Sequence, residues 1–210
     1  MITLHHCPNT RSSGARSLLE QMGVPYELHA MDMRTGENRQ PAYLTINPLG
    51  KVPAVTEDGA LVTEQGAIFL YLADRFPEAK MAPPIGDPLR GPFLRWLFFY
   101  GSAFEPAIVD HAQKRDPGTA SMSPYGSYEA VIDVLRGQLA KGPWLLGERL
   151  TAADILWGVA LGWTMMFGVV PKHPEFVTFA ERVAALPGVR SAAAKDAELA
   201  AAHEAARGKG

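Results

Sequence analysis

The chain reads as an α/β unit followed by an all-α unit, and three observations predict this. From Ile2 to Asp74, strand-like and helix-like stretches alternate, closing on an Asp58-Gly59 pair set between two apolar runs. Four prolines between Pro77 and Pro88 then mark a stiff, extended break. Beyond Pro88 every periodic stretch has helical spacing.

Taken in order, Ile2-Thr-Leu-His-His6 alternates well enough for a short strand, ended by Pro8. Cys7 to Gly14 is a polar loop rich in capping residues. Ala15 to Met22 is helical, with Leu18, Leu19 and Met22 on one face and Gly23 as its stop. Pro25 to Met31 reads as a second strand. Two prolines and Gly50 force a tight loop at Asn47 to Pro53, because Pro48 disfavours helical geometry at Asn47. Val52 to Thr56 is a buried strand, Glu57-Asp-Gly-Ala60 a hairpin turn, and Leu61-Val62 the returning strand. Thr63 or Glu64 opens a helix carrying Ile68, Leu70, Tyr71 and Leu72, and its free N–H groups and positive dipole end suit a carboxylate. The order is βαβ followed by ββα.

In the second part, Phe93 to Tyr100 is apolar on nearly all sides, so it belongs in a core or at an interface. Tyr128 to Leu139 carries Val131, Val134, Leu135 and Leu139 at helical spacing. Thr151-Ala-Ala-Asp154 matches a capping box just before the run Ile155 to Val170. Sixteen residues are short for a bilayer span, so that run is expected to be a core helix. Another helix starts near Pro174-Glu175 and stops at Pro187-Gly188, and the alanine-rich stretch beyond is helical as well. The expected organisation is 1–77, an α/β domain; 78–88, a linker; and 89–210, an α-helical domain.

Composition narrows the function. An apolar fraction of 47% and a charged fraction of 20% are those of a soluble protein with a substantial core. A net charge of −2 without Lys/Arg runs gives no electrostatic case for nucleic acid. One cysteine excludes an internal disulfide and a cysteine-based zinc site, and no ligand spacing supports a metal. It also fits a reducing cytoplasm, and Met-Ile-Thr-Leu-His-His lacks the pattern of a signal peptide. Neither membrane nor nucleic acid is an expected partner.

Asn47-Pro-Leu-Gly-Lys-Val-Pro53, the hairpin, and Thr63-Glu-Gln-Gly-Ala-Ile-Phe-Leu-Tyr-Leu72 together resemble the cytosolic glutathione S-transferase family. Leu150-Thr-Ala-Ala-Asp-Ile155 resembles a recurrent feature of its second domain. The resemblance implies a thioredoxin-like N-terminal domain, glutathione as co-substrate, a cytoplasmic homodimer and a role in detoxification. It implies a cis bond before Pro53 that turns the main chain of Val52 towards the cysteinyl part of glutathione. The positions matching Glu64 and Gln65 hold the γ-glutamyl end. Asn47, Lys51, Arg11 and Arg39 complete the implied binding set, with Lys51 suited to the glycyl carboxylate. Gln65 stands where the family commonly has Ser, but the N–H at the helix start survives that change.

Such an enzyme must hold the glutathione thiol as a thiolate, which a hydroxyl donor at a helix start can stabilise. That group must lie within Cys7 to Ser13. Ser12 and then Ser13 stand where the helix should begin, and either can equally be its cap. Aligned by the family's spacing, the hydroxyl position falls on Asn9 or Thr10. Cys7-Pro-Asn-Thr10 also looks like a degraded C-x-x-C motif, so Cys7 is either a redox nucleophile or a small buried hydrophobe. His5 and His6 face opposite ways on their strand, and His6 is a candidate edge of the electrophile pocket. That pocket is expected to draw on Phe99, Tyr100, Phe104, Trp163 and Met166 for an apolar electrophile. Alternatives are glutathione-dependent thiol–disulfide exchange and a non-catalytic binding or regulatory protein of the same fold.

Overall fold

The computed structural model of the protein describes residues 1–119 and 121–208. Strand β1 (Thr3–His6) leads into helix α1 (Ser12–Met22), strand β2 (Glu27–Ala30), a short helix α2 (Pro41–Leu44), strands β3 (Ala54–Glu57) and β4 (Ala60–Val62), and helix α3 (Gln65–Arg75). The sheet order is β2-β1-β3-β4, with β1 and β2 parallel and the other pairs antiparallel. This is the expected thioredoxin-like α/β order. The hairpin turn carries Asp58 and Gly59 at φ 50° and 83°, the left-handed geometry that favours an Asp-Gly pair.

α1 starts at Ser12, three residues ahead of the expected Ala15, and runs to the left-handed Gly23. Its apolar stripe, Ala15, Leu18 and Leu19, is buried with Ile2, Leu4, Val55, Ile68, Phe69 and Leu72. Burying side chains of this size contributes roughly 1.5–3 kcal/mol each, which is what holds so small a sheet.

The helical part comprises α4 (Arg90–Phe99), α5 (Glu105–Gln113), α6 (Tyr128–Leu139), α7 (Ala152–Met166) and α8 (Pro174–Ala184). α4 does not end at Tyr100; a π-helical turn, Tyr100–Phe104, joins it to α5. Trp157 of α7 is buried among Trp96, Tyr100 and Phe104, with ring centroids 4.8–5.9 Å away, and its indole N–H donates to the Trp96 carbonyl at 3.0 Å. The capping box is formed: Asp154 Oδ2 accepts the Thr151 N–H at 2.7 Å and its hydroxyl at 2.8 Å, while Oδ1 accepts the Leu145 N–H at 2.7 Å. Burial raises the Asp154 carboxyl to about 6 against these hydrogen bonds.

The last helix, α9 (Pro187–Arg207), is helical as expected but departs from the expected domain boundary. Contacts group Met1–Ala79 with the chain from Leu186 onward, and Lys80–Ala185 as the second unit. The reason is close packing on α1. A Cβ on Gly188 would lie 2.2 Å from the Gln21 Cα, so only glycine permits this approach. Glu20 binds Lys195 and Ser191 across the same seam. Arg207 pairs with Asp32.

Candidate active site

Three segments of the first unit meet at one end of its sheet. β1 runs out into the loop Cys7 to Arg11. β3 begins just after the Val52–Pro53 peptide, which is cis. The antiparallel register pairs His5 with Ala54, and carried one step further it sets Pro53 opposite His6. The third segment is the start of α3, tied to the loop by Gln65 Nε2, which donates to the Arg11 carbonyl at 3.3 Å. Glu64, just before α3, lies at φ 64° and ψ 123°. A non-glycine residue there costs on the order of 1–3 kcal/mol and persists only where its surroundings impose it.

The turn before β3 is shaped from within. Asn47 is buried, its Nδ2 donating to the Lys51 carbonyl at 2.9 Å and its Oδ1 accepting the Leu49 N–H at 3.2 Å. Tyr43 O–H donates to that same carbonyl at 2.7 Å. Gly50, at φ 59°, passes so near the Asn38 carbonyl that a Cβ would sit 2.7 Å from it. Lys51 and Arg39 are exposed, and Arg39 Nη1 reaches the Leu49 carbonyl at 3.2 Å. Asn47 and Arg39 are thus engaged with the loop itself.

In the loop after β1, Ser12 has no exposed surface. Its Oγ lies 2.9 Å from His6 Nδ1 and 2.7 Å from Thr10 Oγ1, and it accepts the Cys7 N–H at 3.1 Å. The N-cap position of α1 is Arg11, with no side-chain cap. Ser13 donates its hydroxyl to Asp196 Oδ2 at 2.5 Å. Neither serine presents a free hydroxyl outwards: the first is enclosed and the second is spent on a carboxylate. Thr10 is half-buried and covers Ser12; Asn9 is exposed at φ 59°.

Asp196 of α9 is the residue that sequence reasoning missed. Its Oδ1 accepts from Arg16 Nη1 at 2.7 Å and lies 3.0 Å from His6 Nε2, off the line of a good hydrogen bond. Burial pushes its carboxyl up, and His6, Ser13 and Arg16 together outweigh this and hold it below the usual range. A faint signal existed: Val189, Ala192 and Asp196 are buried at helical spacing, so an acid stands in an otherwise apolar stripe. His6 has no exposed surface. It faces this cluster, not an electrophile pocket, because its ring is turned under the loop.

Cys7 is buried, and burial raises its thiol. That disfavours the thiolate a redox role needs. His5 lies on the other face of β1, with Nδ1 2.8 Å from His29 Nδ1 and Nε2 3.1 Å from the Thr56 hydroxyl. Burial, then His29, lowers its imidazole to about 4. Among the described residues no group of three or more His, Cys, Asp or Glu is placed to hold a metal ion. Nor is any described helix long and apolar enough to cross a membrane.

Of the residues expected at an electrophile pocket, Tyr100 and Phe104 are packed in the core of the second unit. Phe99 stacks on Trp157 and is half-buried, as is Trp163, while Met166 is 70% exposed.

Residues 1–74 match the N-terminal domain model of glutathione S-transferase, and residues 126–187 match the C-terminal domain model. The chain is 32% identical to a glutathione S-transferase-like protein, gedE, of Aspergillus terreus, over 70% of each chain. The chain belongs to the glutathione S-transferase family. The structure of a sphingomonad glutathione S-transferase complexed with glutathione superposes with a TM-score of 0.77 at 30% identity, covering 93% of this chain and 98% of that one. The disulfide-bond oxidoreductase YfcG of Escherichia coli is 27% identical over 93% of this chain and 95% of its own length. In this member of the glutathione S-transferase family, Asp196 falls outside both matched regions, so the carboxylate beneath the loop is not part of what those models describe.

Proposed function

We propose that the protein is a glutathione transferase: bound glutathione is held as its thiolate, which attacks a small apolar electrophile or reduces a peroxide. The observation that carries this reading is the meeting of the Cys7–Arg11 loop, the turn before β3 and the start of α3 at one sheet end. The N–H groups at Gln65 and the helix dipole suit the γ-glutamyl carboxylate, and Glu64 its ammonium. The main chain of Val52 pairs with the cysteinyl peptide, and the exposed Lys51 and Arg11 suit the glycyl carboxylate. Thr10 is the hydroxyl assigned to the sulfur, because it is partly exposed and held at rest only by the neutral Cys7 carbonyl and Ser12, whereas Ser12 is enclosed and Ser13 is bound to the Asp196 carboxylate; Asn9 is the next group able to donate. The proposed working state is a cytoplasmic homodimer, and light scattering that finds a monomer at assay concentration counts against it.

The test is calorimetry with glutathione, followed by conjugation of an activated aromatic chloride. Binding in the micromolar to millimolar range is expected. Thr10→Val should lower the rate by about 100-fold or more, the order of loss when one donor to a developing anion is removed. Absence of binding at millimolar glutathione favours the non-catalytic reading.

The likeness to YfcG supports a second reading, glutathione-dependent disulfide reduction. There the glutathione thiolate attacks a disulfide, a thiolate leaves, and a second glutathione resolves the mixed disulfide. Cys7 has no part in this form, so Cys7→Ser should retain it; loss of reduction in that variant returns the nucleophile to Cys7.

A further inference from the structure

We propose that Thr10, Ser12 and His6 form a proton relay that carries the glutathione thiol proton inward to His6, with Asp196 facing the imidazolium so formed. This rests on the transferase reading and gives that site its base. The chain has short steps: Thr10 Oγ1 to Ser12 Oγ is 2.7 Å and Ser12 Oγ to His6 Nδ1 is 2.9 Å. Ser12 and His6 have no exposed surface, so no bulk water competes for the step between them.

Fixed donors set the polarity at rest. The Cys7 N–H points at Ser12 Oγ at 3.1 Å, and the Ser12 N–H at Thr10 Oγ1 at 3.2 Å. His6 Nε2 stands 3.0 Å from the Asp196 carboxylate, and the relay places the resting proton on that nitrogen and leaves Nδ1 as the acceptor. Ser12 O–H then donates to His6, and Thr10 O–H to Ser12. Both hydroxyls also have the Cys7 carbonyl within reach, at 2.7 Å from Thr10 and 3.0 Å from Ser12. In that state neither hydroxyl has a proton for a thiolate.

The transfer reverses every bond. The thiol S–H proton passes to Thr10 Oγ1, the Thr10 proton to Ser12 Oγ and the Ser12 proton to His6 Nδ1. One S–H bond breaks and one N–H bond forms; both hydroxyls end neutral and the total charge is unchanged. His6 Nδ1–H now donates to Ser12, Ser12 to Thr10, and Thr10 to the thiolate. After the sulfur has attacked, the proton leaves by the same route. The charged groups facing His6 are Asp196 from α9 and, through it, Arg16 from α1, with Ser13 on the second carboxylate oxygen. Arg16 neutralises Asp196 while His6 is neutral. The imidazolium then shares that carboxylate.

Thr10 alone touches the sulfur; Ser12, His6 and Asp196 act through it. A donor acting without a relay must release the thiol proton to solvent, and this is the distinguishing readout. Glutathione binding by the wild type is followed at neutral pH by thiolate ultraviolet absorbance and by calorimetry in buffers of different ionisation enthalpy. The relay predicts thiolate without proton release; one proton released per thiolate overturns it. Ser12→Ala, checked for native circular dichroism, should bind glutathione within about 3-fold of wild type. It should move the midpoint of thiolate formation up by about one pH unit or more, as should Thr10→Val. His6→Gln should do the same, and His6→Gln combined with Ser12→Ala should do no more than either alone. Unchanged thiolate titration in Ser12→Ala removes the relay and leaves the transferase reading intact. Failure of the wild type to bind glutathione removes both.

Discussion

Asp196 Oδ1 accepts a hydrogen bond from Arg16 Nη1 at 2.7 Å, across 180 residues of chain. Both side chains are about nine-tenths buried. Removing one partner of such a pair leaves a charge without compensation, which costs about 3–5 kcal/mol. Asp196→Ala should therefore lower the urea-unfolding free energy by about that amount. Arg75→Ala, which breaks a pair with Glu57 in which the arginine is 51% exposed, should change it by less than about 1 kcal/mol. Equal losses in the two variants contradict the assignment.

Gly188→Ala should destabilise strongly, because the added methyl meets the main chain of α1, which cannot move aside alone. A loss of about 1–3 kcal/mol or more is expected by thermal denaturation. Gly162 lies inside α7 with open space around its Cα, so Gly162→Ala should gain about 0.5–1 kcal/mol from helix propensity.

Two buried groups give stability opposite slopes with pH. His5 has its folded value lowered to about 4, below the ordinary 6.5, so its contribution is full above 6.5 and is lost as pH falls towards 4. Asp154 has its folded value raised to about 6, above 3.8, so its contribution is full below 3.8 and is lost as pH rises through 6. Each amounts to about 3 kcal/mol at most. His5→Gln should flatten the acid-side loss, measured as urea-unfolding free energy between pH 6.5 and 4. A variant with the wild-type slope would show that His5 does not set it.

Cys7 should resist alkylation. Its burial and raised thiol predict labelling by iodoacetamide at neutral pH at least about 100-fold slower than for an exposed cysteine, and rapid labelling only after unfolding in urea. Mass spectrometry reads this directly.

The local devices of the fold were legible because each is set by neighbours in sequence. The Asp58-Gly59 turn and the Thr151–Asp154 box appear where their residues predict, and the helix Tyr128–Leu139 buries Val131, Leu135 and Leu139 as expected, with Ile132 in place of the exposed Val134. The π-helical turn at Tyr100–Phe104 was hidden because Gly101-Ser102-Ala103 carries no apolar spacing that would tell a π turn from an α turn over five residues. A serine opening a helix reads as a cap, yet Ser12 is turned inward to a histidine six residues earlier. It reaches Asp196 only through His6, and nothing within a helix turn of either residue announces the other. The turn at Asn47–Pro53 in the candidate site was legible for the opposite reason: its prolines and glycine constrain the main chain whatever packs around them.

The grouping of α9 with the first unit makes the chain's order of synthesis differ from its order of completion. A ribosome would emit the sheet first yet leave it without the helix that covers α1 until Lys80–Ala185 had also been made. The stretch Lys80–Ala185, begun later, is whole sooner. The loop that carries Thr10 and the Ser12 that follows it therefore acquire their buried acid only after the whole of Lys80–Ala185 has been made.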